Sequence, residues 1–113
     1  MQDIKAQLRF LPRSAQKVRL VIDLVRGMDA VEALETLRFV QKRAALPVRK
    51  LLASAVSNAE ENFGISRDDL YVATIFADEA PTRRWRRFGA RGRFKPILRR
   101  TSHITVVLRE RGA

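Results

Sequence analysis

Apolar and polar residues alternate from Ile4 to Phe10, with Ile4, Ala6, Leu8 and Phe10 on one side and Lys5, Gln7 and Arg9 on the other. A period of two is that of a strand with one buried face. Pro12 has no N–H to give a ladder and ends it. The period then becomes helical. Val18, Val21, Ile22 and Val25 form an i, i+3, i+4, i+7 stripe, which predicts a helix from about Ala15 to Arg26, with Ser14 as N-cap and Gly27 as the stop. Lys17, Arg19 and Arg26 fall off that stripe, as solvated charges or phosphate contacts.

Asp29 with Glu32 three residues on resembles a capping box. It opens a second helix whose apolar face is Ala30, Leu34 and Leu37, with Val31 and Val40 beside them, ending near Val40 or Gln41. Val48, Leu51, Leu52, Ala55, Val56 and Ala59 predict a long third helix that closes before Gly64. Pro47 leaves two starts open, one within a turn of it and one near Lys42 with a bend. Ala53, Ser54, Ala55, Ser57 and Ala59 are small enough to let another element approach closely.

Leu70 to Ala77 is rich in β-branched and aromatic residues and reads as a second strand. Its blurred alternation fits a central strand, or one covered on both faces. From Ser102 to Arg109 the alternation is clear: Ile104, Val106 and Leu108 face one way, and His103, Thr105, Val107 and Arg109 the other.

Charge changes this picture most. The chain has 113 residues, the usual size of one domain, with 46% hydrophobic residues and a net charge of +11. Residues 1–80 carry 12 basic and 11 acidic side chains, whereas residues 81–113 carry 11 basic and 1 acidic. A nearly neutral body is thus joined to a polycationic segment, which implies a polyanionic partner and, at this size, nucleic acid. Within Arg83 to Arg100, nine of eighteen residues are Lys or Arg, interleaved with Trp85, Phe88 and Phe94. Guanidinium groups bind phosphate bidentately and stack on bases, and aromatic rings offer faces to unstacked bases. Lying between two strands, the segment reads as an excursion from the sheet, with Gly89 and Gly92 as turn residues. As a hairpin, each arm of about ten residues reaches about 30 Å. A disordered cationic tail fits Pro81 and the glycines poorly, and Gly89, Gly92 and Pro96 break any amphipathic membrane-surface helix.

The absence of cysteine excludes disulfides and thiolate metal sites, and one histidine argues against a His-based metal centre, so neither metal nor cofactor is expected. Asp68-Asp69 and Asp78-Glu79 lack a nearby nucleophile or glycine-rich loop, so no catalytic residue is assigned and a hydrolase is a poor reading. A DNA-binding protein shares the charge argument, but the first helix is not followed by a short turn and recognition helix. No window approaches the roughly 18 apolar residues of a membrane span, and no signal-peptide core is present, so no membrane partner and a cytoplasmic location are expected.

Three stretches carry a family resemblance: SAQKVRLVIDLVRG at Ser14 to Gly27, KRAA…LLASAVSNAEEN at Lys42 to Asn62, and GR…RRTSHITVVL at Gly92 to Leu108. The last, Gly-Arg followed after nine residues by His-Ile-x-Val-x-Leu, is the most specific. The chain resembles the bacterial large-subunit ribosomal protein L22 family along essentially its whole length. The resemblance implies an α+β fold: three helices packed on a small three-stranded antiparallel sheet, with a long extended β-hairpin. It implies a single domain, with a body of residues 1–79 and 101–113 on the outside of the large subunit. The hairpin of residues 80–100 would run inward among rRNA helices to line the nascent-peptide exit tunnel, near the region where macrolide antibiotics bind. The implied role is assembly of the subunit by bridging rRNA domains. The partners would be large-subunit rRNA, neighbouring ribosomal proteins and the passing nascent peptide, with no homo-oligomer.

Carried over by position, the rRNA contacts are Arg13, Lys17, Arg19, Lys42, Arg43, Arg83, Arg84, Arg91, Arg93, Lys95, Arg99, Arg100 and His103. The hairpin tip facing the tunnel is Arg86, Arg87, Phe88, Gly89, Ala90 and Gly92. The tip is also where the chain departs from the family, since Trp85 to Phe88 replace a more aliphatic, proline-containing stretch and Gly89 stands where a basic residue is usual.

Overall fold

A computed structural model describes residues 3–88 and 94–111. In chain order the elements are β1 (Ile4–Leu11), α1 (Ala15–Ile22), α2 (Ala30–Phe39), α3 (Ala45–Phe63), a 3-10 turn (Arg67–Asp69), β2 (Leu70–Phe88) and β3 (Phe94–Glu110). The strands form one antiparallel sheet in the order β1-β3-β2. The helices cover the face that carries Ile104, Val106 and Leu108, each fully buried. The fold is therefore α+β, three helices on three antiparallel strands, as expected.

Three one-residue insertions in the ladder explain where alternation fails. On β1, Leu8 pairs with Ile104 and Leu11 with Ser102, so three steps on β1 face two on β3. This bulge reverses the expected facing of Phe10, which stands 58% exposed while Leu11 turns inward. Phe10 has φ 56°, a conformation that costs an L-residue about 1–2 kcal/mol. On β2, Val72 pairs with Leu108 and Thr74 with Val107, so Ala73 is the extra residue. Leu70 and Val72 point to the core before it, Ile75 and Ala77 after it. The blurred pattern of this strand comes from that insertion and not from a central place, since β3 is the central strand and β2 lies at an edge. The third insertion lies between the pairs Ala80–Thr101 and Arg83–Arg99, at Pro81 and Thr82. Proline is tolerated at a bulge because no ladder N–H is needed there. The Thr101 hydroxyl donates to the Pro81 carbonyl at 2.9 Å, and beyond it β2 and β3 stay paired through Phe88 and Phe94.

Much of the β2 edge is covered from the body. Gly27, at φ 81°, donates its N–H to the Val72 carbonyl at 3.1 Å, and Val72 donates to Met28 at 2.8 Å. Arg26 Nη2 reaches the Ile75 carbonyl at 2.8 Å and Arg19 Nη2 the Ala77 carbonyl at 2.9 Å. These groups occupy acceptors that an exposed edge would offer to another chain.

The helices follow their stripes, with corrections at the ends. α1 stops at Ile22, four residues earlier than predicted. From there the chain tightens into i+3 turns, Leu24 to Val21 and Val25 to Ile22, which still seat Val25 in the core. Asp29 precedes α2 but makes no side-chain cap, because its carboxylate is paired with Arg111. α3 begins two residues before Pro47, so the proline sits in the first turn, where its missing N–H has no intrahelical partner to lose. Gly64, at φ 65°, ends that helix, with the Ile65 N–H closing back on the Ala59 carbonyl. Val48, Leu52, Ala55, Val56 and Ala59 of α3 are buried against α2 and the sheet. Each such Leu or Val contributes about 1.5–3 kcal/mol through burial, which makes α3 the main wall of the core.

Candidate nucleic-acid interface

A groove of about 1090 Å³ opens at the root of the long β2–β3 pair. Three separate stretches form it: Pro12 to Lys17 with Leu20, Lys42 to Ala44, and the strand pair around Glu79 to Thr82 and Arg100 to Thr101. It gathers five of the predicted contacts, Arg13, Lys17, Lys42, Arg43 and Arg100, against a single acid, Glu79.

Local structure explains how each cation arrives there. Ser14 Oγ accepts the Lys17 N–H at 3.3 Å, which fixes the start of α1 and sets Lys17 in its first turn. Arg13 lies just before that cap, between Pro12 and Ser14. Lys42 and Arg43 precede α3, which has Ala44 at its cap position and no side-chain cap. Two helices therefore begin at the groove wall, and each N-terminus adds about half a positive charge to the ammonium and guanidinium groups. Arg100 enters from the opposite side, on β3 across from the bulge at Pro81 and Thr82. Arg13, Lys17, Lys42, Arg43 and Arg100 make no ion pair among the described residues. Their charge is available to a ligand.

Other predicted residues lie elsewhere. Arg19 is held on the β2 edge by the Ala77 carbonyl and does not line the groove. His103 stands on the far face of the sheet, where its Nδ1 accepts the Phe10 N–H at 3.0 Å. Backbone register pairs Arg83 with Arg99, Arg84 with Leu98, Arg86 with Pro96, Arg87 with Lys95 and Phe88 with Phe94 along the hairpin. Gly89, Ala90, Arg91, Gly92 and Arg93 lie outside the described residues.

The basic surplus of the last third also contains two structural cations. Arg109 donates to Asp3 at 2.6 Å, and that bond holds the Asp3 carboxyl below its ordinary range and raises the Arg109 guanidinium. Arg111 pairs with Asp29 and lies 4.5 Å above the Tyr71 ring. Both tie the end of β3 to the body. Sequence pattern missed Leu20, an exposed apolar side chain among the groove cations, and the hydroxyl-bearing Thr82 and Thr101 that line it. Their only signal is proximity in the folded chain.

The acidic pairs stay apart from one another. Asp68 and Asp69 sit in the 3-10 turn that Ser66 caps, and Asp78 and Glu79 lie on β2. Among the described residues no group of three or more His, Asp or Glu side chains is placed to hold a metal, and no helix is long and apolar enough to cross a membrane.

A cationic groove at the root of a long basic strand pair, on a three-helix α+β body, agrees with the comparison to known families. The family model of ribosomal protein L22p/L17e matches residues 6–109, nearly the whole chain. The chain belongs to that family, and is a structural, rRNA-binding constituent of the large ribosomal subunit.

Proposed function

We propose that the groove is where the body grips rRNA phosphates, and that the hairpin of residues 80–100 continues from it as an RNA-contacting arm. The arm bridges rRNA domains during assembly and lines the nascent-peptide exit tunnel, with Arg86 to Gly92 at its tip. The chain works in the cytoplasmic ribosome as one domain, in a single copy, among neighbouring large-subunit proteins, and it carries out no chemical step.

The observation that carries this reading is the convergence of Arg13, Lys17, Lys42, Arg43 and Arg100 from three stretches on one groove. Phosphate contacts fix register and orientation without reading sequence, which is what a bridging protein needs. The bulge at Pro81 sits between groove and arm, so it sets the angle at which RNA gripped by the body meets the hairpin.

Chemical footprinting of a large-subunit rRNA transcript tests the bridging claim. The full chain is expected to protect sites in more than one rRNA domain, and Arg99→Glu with Arg100→Glu to lose the hairpin-dependent set. Protection confined to one domain, or unchanged by the charge reversal, would contradict it.

A further inference from the structure

On the face of the sheet opposite the helices, Phe10 is arranged in a way that packing alone does not explain. A bulge turns this ring out of the core to 58% exposure, on a backbone at φ 56° that glycine or asparagine adopts far more readily. The turn is held by the Phe10 N–H, which donates to His103 Nδ1 at 3.0 Å. The two rings meet edge to face, with centroids 4.7 Å apart and planes at 86°. Because Nδ1 accepts this bond, the neutral imidazole carries its proton on Nε2, where it remains a donor.

The site lies beside a phosphate-binding surface. Pro12 and Arg13, two and three residues after Phe10, line the groove, as do Arg100 and Thr101, just before His103. Arg9 precedes Phe10 on β1, and Asp78, the register partner of His103, is the acid facing it across the strands. Because Phe10 is two residues from Pro12 of the groove, an RNA strand whose phosphates occupied the groove would pass the end of β1 that carries this ring. An exposed aromatic next to phosphate-binding cations is the arrangement that holds unpaired bases in RNA-binding proteins.

We infer that Phe10 is a stacking platform for an unpaired nucleobase of large-subunit rRNA, with His103 holding the ring in place and offering its Nε2–H to the same nucleotide. This rests on the reading of the groove as an rRNA site. His103 is thereby chiefly a positioning residue. A stacked base adds affinity without neutralising a phosphate, so its loss leaves the salt dependence of binding unchanged.

The test uses the full chain and a large-subunit rRNA transcript, with binding constants measured across a salt series. Phe10→Asn removes the ring while suiting the left-handed backbone, so the bulge is kept, and Phe10→Trp keeps a stacking face. Phe10→Asn is expected to weaken binding by about 5- to 100-fold with an unchanged salt slope. Phe10→Trp is expected to bind like the natural chain, and ultraviolet irradiation of the natural complex to give a nucleotide adduct on the peptide containing Phe10. Equal binding by Phe10→Asn, or a loss accompanied by a shallower slope, overturns the inference. So does a Phe10→Asn chain that binds the transcript normally but attaches poorly to protein-containing subunits, which would assign the ring to a protein contact. Failure of the natural chain to bind the transcript at all would instead refute the reading of the groove.

Discussion

Replacing Lys42 and Arg43 together by alanine removes two of the five groove cations without touching the fold. Both side chains are exposed in the segment before α3, and neither makes a hydrogen bond or ion pair among the described residues. Each cation that neutralises a phosphate contributes about 0.7 to 0.9 to the slope of log affinity against log salt, so the double variant should lower the slope by about 1.4 to 1.8. Between about 50 and 200 mM salt, the natural chain should then lose about 7- to 12-fold more affinity for rRNA than the variant does. The assay is equilibrium binding to a large-subunit rRNA transcript over that range. The control is Arg38→Ala with Lys50→Ala, two exposed cations on α2 and α3 outside the groove. Glu79→Gln, which removes the one acid of the groove, should act in the opposite direction and tighten binding at low salt. A slope for the Lys42 and Arg43 variant equal to that of the natural chain, or a fall no larger than the control gives, would refute the assignment of the groove to phosphate.

Other outcomes follow from the body. Leu52→Ala, at a fully buried position of α3, should cost about 2–5 kcal/mol in urea unfolding, and a loss below about 1 kcal/mol would contradict the packing described. Arg19→Ala should lower stability by about 1 kcal/mol through its bonds to the Ala77 carbonyl and leave the salt slope of RNA binding unchanged; a reduced slope would show that it meets phosphate. The Asp3 carboxyl is lowered by the Arg109 hydrogen bond, so the stability it adds is fully present above its ordinary value of 3.8 and is lost as pH falls through its lower folded value. Acid unfolding of Asp3→Asn should therefore be less steep than that of the natural chain below about pH 4, and identical acid limbs would rule this out.

The helices and strands were legible because their stripes survive in one dimension: Val18, Val21, Ile22 and Val25 all reach the core, as does the α3 stripe. What escaped were places where one residue is inserted into a ladder. The alternation of Ile4 to Phe10 predicts an inward Phe10, and nothing local signals that the step from Leu8 to Leu11 takes one residue too many. The insertion at Ala73 likewise made an edge strand look like a central one. Asp29 followed by Glu32 has the spacing of a capping box, yet a partner 82 residues away, Arg111, takes the carboxylate. The candidate site was legible as residue types and not as a place. Arg13, Lys42 and Arg100 are far apart in the chain, and only the antiparallel return of β3 beside the start of α1 and α3 makes them neighbours. Arg19, expected from its charge to meet RNA, is held at the sheet edge by the Ala77 carbonyl, a partner 58 residues away that no local pattern signals.

The central claim is that this chain is built into the large subunit through its basic groove and arm. Sedimentation of large subunits after a high-salt wash tests it most directly, using the natural chain and a variant carrying Lys42→Ala, Arg43→Ala and Arg100→Ala. The natural chain is predicted to remain with the large subunit and the triple variant to be released at lower salt. A natural chain that washes off freely, or a variant retained as firmly as the natural chain, would contradict the account.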